Sequence, residues 1–340
     1  MTSMERLRSE VEGIKKIPRE KLLLFVALAA ALLVIPNFLG VYQVHILNVI
    51  LYYIIIASAW NLLAGYTGIF SLAQAALSAT GAYTTGLLSY HLGINPIVGI
   101  LLGGVLAAFV SYAIGSLTLN MRGIYLALAT WAFAGSAKIF ISINYEVTRG
   151  ELGLTVQYLY GVIPGIAPMM YYYTTLALTA VALLAIYKII NSRMGLFLKA
   201  IREDSIAAEV AGVDTVKYKK RIFILVGFIA GIFGAYYAHY LGIISPSLFA
   251  FEEMAIIIIM TIVGGYGYFY GPVLGAITIE VLSEYLREFG EIRMVLYGII
   301  VLVMMRTFKD GLCGIAQSIH DKWKSSSMEE TVQPAGGNNG

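Results

Sequence analysis

Apolar residues in this chain gather in runs of about twenty, separated by short polar or glycine-containing breaks. A helix needs about 20 apolar residues to cross the hydrocarbon core of a bilayer. That ruler predicts spans at 22–39, 42–64, 71–90, 96–117, 125–143, 171–190, 222–244, 255–268, 273–286 and 294–305. The expectation is an all-α polytopic membrane protein with about ten transmembrane helices (8–11). The range reflects the last three spans, which Gly264, Gly265, Gly267, Gly271 and Pro272 interrupt. A polar loop containing Tyr and Gly fills 144–170, and a basic loop fills 191–221.

The two ends differ from the middle. Met4, Leu7, Val11 and Ile14 recur at helical spacing among charges, so residues 1–20 read as an amphipathic helix on the membrane surface, with a frayed tail as the alternative. The stretch is too charged for a secretory signal. Residues 21–309 form the transmembrane domain, and 310–340 read as a cytoplasmic, largely disordered tail ending in Ser, Pro, Gly and Asn.

Composition removes the soluble alternative. The chain is 59% hydrophobic and 13% charged, with a mean hydropathy of +0.79. Soluble domains have about 45–50% apolar and about 25% charged residues. The basic residues then orient the spans. With the N-terminus in the cytoplasm and ten crossings, 19 of the 23 Lys and Arg fall inside. Arg149, Arg287 and Arg293 fall outside, and Lys138 lies within a span near its outer end. That asymmetry follows the positive-inside rule and predicts both termini and the 191–221 loop in the cytoplasm.

Chemistry is sparse. Cys313 is alone, and the four histidines are scattered without ligand spacing, so no metal site and no cofactor is expected. No Asp or Glu occurs between Glu20 and Glu146. Of the later carboxylates only Glu280, with Glu284 one turn on, reads as lying within a span, while Glu203–Asp204 and Glu252–Glu253 read as loops. Proton- or ion-coupled carriers keep carboxylates in the membrane at a cost of about 2.5–3.5 kcal/mol each, so that class is disfavoured, though Glu280 keeps it open. A membrane enzyme lacks its paired carboxylates or His/Ser constellation here. No P-loop exists, so if ATP drives the protein another chain binds it.

The basic loop carries the most local structure. Asp204 or Ser205 can cap a short helix over 206–211, Gly212 ends it, and Asp214 or Thr215 caps the next helix. Its small residues, Ala207, Ala208 and Ala211, would allow close approach to a groove in another protein; the alternative is a merely solvated basic loop. Between Gly65 and Gly81, Ser71, Gln74, Ser78 and Thr80 sit among glycines. Such a segment either packs helices tightly or lines a pathway. Gln74 is the foremost pathway candidate, because a buried amide needs partners. Gly267, Gly271 and Gly275 recur every four residues, a pattern of tight packing or of a hinge, and Pro272 begins a helix. The 24 tyrosines read mostly as interfacial anchors.

The segment GLFLKAIREDSIAAEVAGVDTVKYK resembles the cytoplasmic signature of the second permease subunit of branched-chain amino-acid ABC importers. Further similar segments follow in family order: NLLAGYTGIFSLAQAALSATGAY, LNMRGIYLALATWAFA, TRGELGL, GAYYAHYLGIISP and VGGYGYFYGPVLGA. The resemblance spans about residues 21–311. It implies the importer permease fold of the branched-chain amino-acid/ribose permease superfamily in the inner (cytoplasmic) membrane. It also implies a homologous permease partner in a heterodimer, two ABC ATPase subunits and an extracytoplasmic amino-acid-binding protein. Lipid is the remaining partner, and no nucleic acid is expected.

On that resemblance Arg202, Glu203, Ala207, Ala208, Glu209 and Gly212 are the expected ATPase-coupling residues. Asn61, Ser71, Gln74 and Thr130 are the pathway candidates. Gly65, Gly68, Gly264, Gly265, Gly267, Gly271, Pro272 and Gly275 are the hinge or packing positions. The sequence departs from the family at Ile69, Gln74, Gly135 and Lys138, and related permeases carry urea or short amides. Those substrates are the alternative.

Overall fold

The computed structural model describes residues 27, 30–119, 121, 123–161, 166–290, 292–307 and 311–314. Residues 1–20, Arg122 and most of the tail lie outside the described residues, and with them the expectations of a surface helix and a disordered end.

The described chain is predominantly helical. After a helical segment ending at Val34 and a 3-10 turn at Ile35–Phe38 come α1 (Val41–Thr67), α2 (Gln74–Leu92), α3 (Pro96–Thr118) and α4 (Gly123–Ile143). Then follow α5 (Ala167–Ile190), α6 (Arg193–Glu203), α7 (Ser205–Val210), α8 (Thr215–Leu241), α9 (Phe251–Gly264), α10 (Gly271–Tyr285) and α11 (Ile292–Thr307). Five of these, α1, α3, α4, α5 and α8, are long and apolar enough to cross a membrane. The apolar runs place these helices well because both lipid-facing and protein-facing sides of such helices are apolar.

α1 is the central element. Its buried side chains, from Val44 through Ile55, Ile56, Trp60 and Leu63, head the main hydrophobic cluster, with residues of α5, α8, α9 and α10 around them. Residue Gly68 ends it in the left-handed conformation (φ +72°), with its N–H bonded to Ala64 and that of Ile69 to Leu63. A side chain at that φ would be strained.

Two tight seams hold the bundle. In the first, α8 packs against both α2 and α3, which also touch each other. A Cβ on Gly231 would overlap Ala107, one on Gly227 would overlap Ser111, and one on Gly234 would overlap the Ser78 carbonyl. In the second, α9 and α10 form an antiparallel hairpin. A Cβ on Gly264 would overlap the Gly271 carbonyl, and one on Gly275 would overlap that of Met260. The glycines expected as one helical stripe are thus split. Gly271 and Gly275 lie on α10, whereas Gly267 belongs to the connecting turn, where it adopts φ +82°. Close backbone approach between apolar helices replaces the hydrophobic driving force that lipid removes.

At one end of the bundle the connection 144–161 is not a plain polar loop. It forms a helical turn (Tyr145–Thr148) and strand β1 (Leu154–Thr155), which pairs antiparallel with β2 (Ile243–Ile244). His239 ties this layer down. Its Nδ1 lies 2.6 Å from the Gln157 carbonyl and its Nε2 2.6 Å from Thr85 Oγ1. The α6–α7 segment lies at the opposite end, against the last turn of α1.

Candidate functional site

Two assemblies of polar side chains stand out, one at the α6–α7 end and one deeper between the helices.

The first is a node around the C-terminus of α1. The last four carbonyls of a helix lack partners within it, and here other elements bond to two of them, Ala64 and Gly65. The Arg202 guanidinium donates from Nη1 to the Gly65 carbonyl at 2.6 Å, and the Tyr266 hydroxyl donates to the Ala64 carbonyl at 2.6 Å. Asn61 holds the α9–α10 turn from both sides. Its Oδ1 accepts from the Gly267 N–H at 2.9 Å, and its Nδ2 donates to the Tyr268 carbonyl at 2.8 Å. Arg202 also lies over the Tyr266 ring, 5.7 Å from its centroid, and Lys199 lies 5.9 Å from that of Tyr66.

Glycine makes the node possible. A Cβ on Gly65 would overlap Asn61 and come within 2.8 Å of the Gly267 nitrogen; Gly68 faces the Arg202 backbone at 3.7 Å. Gly311 packs on Gly265, with 2.7 Å left for a Cβ. The segments Ala64–Gly65 and Tyr266–Gly267 therefore meet in space.

From the node the chain runs directly into α7. The Asp204 side chain supplies its cap, accepting from Ile206 N at 2.8 Å and Ala207 N at 3.0 Å. Ala211 and Gly212 (φ +88°) end it, and Asp214 caps α8 by accepting from Lys217 N at 3.0 Å. The faces differ from the expectation of a uniformly small docking helix. Ala208 is 6% exposed and packs into this chain, while Ile206 and Val210 are 76% and 85% exposed. Ala207, Glu209 and Glu203 are exposed with them. Arg202 turns inward to α1, because an orphan carbonyl and an aromatic face lie within its reach.

The pathway candidates are structural in part. Ser71 precedes α2 rather than lying on it; its carbonyl accepts from Trp60 Nε1 at 2.8 Å. Thr130 Oγ1 accepts from Leu72 N at 2.9 Å and donates to Leu126, so it holds the link between α1 and α2. Asn61 belongs to the node. Gln74 is 1% exposed, and its Nε2 has no partner among the described residues. Pro272 is the second residue of α10.

The second assembly is a cleft between α1, α2, α8 and α9. Its walls include Tyr52, Tyr53, Ser78, Gly234, Tyr237 and Glu253. Tyr52 and Tyr237 stack at 4.1 Å with an 11° angle between rings, and Tyr53 meets Tyr52 edge-on at 5.3 Å. The Tyr52 hydroxyl lies 2.8 Å from Ser78 Oγ, and the Tyr53 hydroxyl donates to Glu253 Oε2 at 3.1 Å. Glu252 and Glu253 are not in a loop. They form the first turn of α9, which starts at Phe251 because acids are favoured at a helix N-terminus. Glu253 is eleven residues from the node end of α9, about 17 Å along the helix axis. Glu280 stands half-buried on the partner helix α10, and Glu284 accepts a hydrogen bond from Tyr42.

Reasoning from sequence missed this cleft. The available signal was position: Tyr52 and Tyr53 fall in the middle of the apolar run 42–64, not at its ends where anchoring tyrosines belong.

Comparison with known proteins places these features in a family. The family described as the branched-chain amino acid transport system / permease component matches residues 42–305. The high-affinity branched-chain amino acid transport system permease protein LivM of Escherichia coli (strain K12) is 28% identical over 319 residues, covering 86% of this chain and 75% of that protein. Its Salmonella typhimurium counterpart is 28% identical over 295 residues, covering 79% and 69%. The fructose import permease protein FrcC of Rhizobium meliloti is 23% identical over 245 residues, covering 69% and 68%. No solved structure matches the chain.

Proposed function

Because the chain belongs to the permease family of the branched-chain amino acid transport systems, we propose that it is one of two homologous membrane subunits of an ATP-driven amino-acid importer. In this reading ten helices cross the cytoplasmic membrane, with the α6–α7 end inside and the β1–β2 end outside. Two separate ATPases bind inside, and a binding protein delivers a branched-chain or related apolar amino acid from outside. This chain performs no chemistry. It converts ATPase closure into movement of helices around the pathway.

The observation that carries the reading is the geometry of α7. It presents Ile206, Ala207 and Val210 outward, an apolar face exposed on a short capped helix. Such a face suits the groove of a partner. Directly behind it, Arg202 reaches α1 and stacks on the turn between α9 and α10. A push on α7 is therefore handed to three helices at once.

The test is the reconstituted complex, assayed for binding-protein-stimulated ATP hydrolysis and uptake. Ala207→Trp adds bulk to the outward face, where overpacking costs about 1–3 kcal/mol. Both activities should fall at a normal level of inserted permease. Ala208→Trp instead collides with this chain's own packing, so the amount of folded permease should fall. Parental transport by an assembled Ala207→Trp complex would remove α7 as the coupling element.

A further inference from the structure

We propose that the buried first turn of α2, together with the Gln74 side-chain amide, is a binding site for a carboxylate, and that it receives the acid end of the transported substrate. The inference rests on the permease reading above and adds to it a site and the part of the substrate that the site takes.

The first argument is where α2 begins. A Cβ on Gly103 would lie 2.8 Å from the Gly81 carbonyl, and one on Gly99 would overlap Thr85, so α2 and α3 run antiparallel with Gly81 and Gly103 level. Gly103 is fifteen residues from Thr118, the last of α3, about 22 Å along its axis. Gln74 is seven residues before Gly81, about 10 Å. The first turn of α2 therefore lies about 12 Å inside the end of α3, a helix long and apolar enough to cross a membrane. The link from Gly68 to Ala73 reaches that depth without forming a helix. Trp60 Nε1 holds its Ser71 carbonyl, and Thr130 Oγ1 accepts from its Leu72 N–H. Transporters use helices interrupted at such depth to turn the positive end of a helix toward an anionic group of the substrate.

The second argument is the state of the turn. The first N–H groups of a helix have no partner within it. In α2 the Leu77 N–H bonds to the Ala73 carbonyl at 2.8 Å, but those of Gln74, Ala75 and Ala76 meet no acceptor among the described residues. Ala73, at the N-cap, has no side-chain oxygen to offer, and no acid stands in the first turn. Solvent does not replace them, since Ala73 and Ala76 are fully buried and Ala75 is nearly so. A ligand that brings acceptors removes the penalty of these unpaired donors.

The third argument is Gln74. It is the first residue of the turn, it is 1% exposed, and its Nε2 has no partner. Side chains lean toward the N-terminus of their own helix, so this amide extends past the start of α2, where the free N–H groups also point. Backbone donors, an amide donor and the positive end of the helix dipole together favour an acceptor-only anion. A water molecule would have to donate hydrogens as well as accept them, and an ammonium can only donate. The site therefore reads the acid of an amino acid, not its amine. It is enclosed in this conformation. Trp60, which holds the 68–73 link, lies five residues from Gly65 on α1, so movement of α1 at the node shifts the chain that leads into the site.

Two probes separate acid from amine. The complete complex in lipid nanodiscs, without binding protein, is titrated with 4-methylpentanoate, which has the carboxylate and the branched chain only, and with 3-methylbutylammonium, which has the amine and the chain only. Saturation-transfer NMR reads the contact.

The acid should bind and compete with leucine, and the amine should not compete. Gln74→Met keeps an unbranched side chain and removes the amide, so acid binding should weaken about tenfold, the loss of one hydrogen bond to a charged group. Gln74→Glu keeps the shape and brings a carboxylate of its own to the turn, so acid binding should be lost; it supplies the answer if Gln74→Met fails to assemble. An amide that only holds the fold leaves acid binding unchanged in either assembled variant, and that result overturns the proposal. So does equal competition by acid and amine, or a parent complex that binds no acid, in which case the turn holds water alone. Leucine uptake in proteoliposomes reports separately on the transport reading. Parental uptake by Gln74→Glu sinks the carboxylate site and leaves the permease reading standing. Acid binding in a parent complex that moves no leucine keeps the site and sinks the substrate.

Discussion

Arg202→Met is the most informative change at the node, because it keeps an unbranched, flexible apolar stem and removes the guanidinium with its charge and its donors. The wild-type guanidinium makes one short bond, 2.6 Å, to the carbonyl of Gly65 and lies 5.7 Å from the Tyr266 centroid. A hydrogen bond to a charged group contributes about 1.5–3 kcal/mol, and a cation over an exposed ring about 0.5–1 kcal/mol. Arg202 is partly open to solvent, so the lower ends apply, and the sum is about 2 kcal/mol. A smaller effect adds to it: the negative end of the α1 dipole loses a cation bonded to its last turn.

If that energy links movement of α7 to movement of α1, its loss changes a two-state equilibrium by roughly thirtyfold. The expected phenotype is uncoupling. Binding-protein-stimulated ATP hydrolysis persists, because α7 and its outward face are intact, but substrate moved per ATP falls by at least several-fold. Arg202→Lys should recover part of the ratio, since an ammonium can reach one carbonyl but cannot lie flat over the ring as a guanidinium does. The assay is parallel measurement of phosphate release and uptake in the same proteoliposomes. An Arg202→Met complex with the parental ratio would refute the argument, and α1 would then have to receive its motion elsewhere.

Two further outcomes test the other parts. Gly264→Leu drives a side chain into the Gly271 carbonyl, so it should prevent closure of the α9–α10 hairpin; the amount of folded permease recovered from membranes should drop severely, while Gly298→Leu, with open space around its Cα, should be recovered as the parent is. Glu280→Gln should keep most ATP-dependent uptake in proteoliposomes, whereas uptake driven by a proton gradient without nucleotide, and abolished by this change, would make the protein an ion-coupled carrier.

The helices were legible in the sequence to within a few residues because transfer free energy dominates their placement, and it is local. The start of α9 was not legible, since a hydropathy scale penalises Glu252 and Glu253 without crediting their interaction with the helix N-terminus. The first seam left a readable trace in Gly227, Gly231 and Gly234, but which helices those glycines face depends on the fold. The node was legible only as a collection of parts. Asn61 and Gly267, Arg202 and Gly65, and Tyr266 and Ala64 are each well over a hundred residues apart. No periodicity connects them. The same holds for Arg202, whose neighbours in sequence suggest a partner surface while its guanidinium finds a backbone carbonyl of its own chain. Tyrosine is ambiguous for a different reason: its amphipathic ring suits both the lipid interface and a polar cleft, and depth alone separates the two.

α1 joins the two assemblies and makes one device of them. Its C-terminal turn carries Asn61 and Gly65 in the node, and its middle carries Tyr52 and Tyr53 in the cleft, about 18 Å away. Between them the helix contains no proline, and no break interrupts it from Val41 to Thr67. Sharp kinks in helices occur at proline among other causes, and α1 has no proline, so it connects the two assemblies as one continuous helix. A tilt imposed at Gly65 must displace Tyr52 relative to Tyr237, because the stacked rings belong to different helices, α1 and α8. The same tilt must change the separation of Tyr53 and Glu253, which lies on α9. The cleft is thus held by contacts that a movement of α1 breaks together. In the proposed coupling, a movement received at the α6–α7 end therefore reaches the cleft through α1.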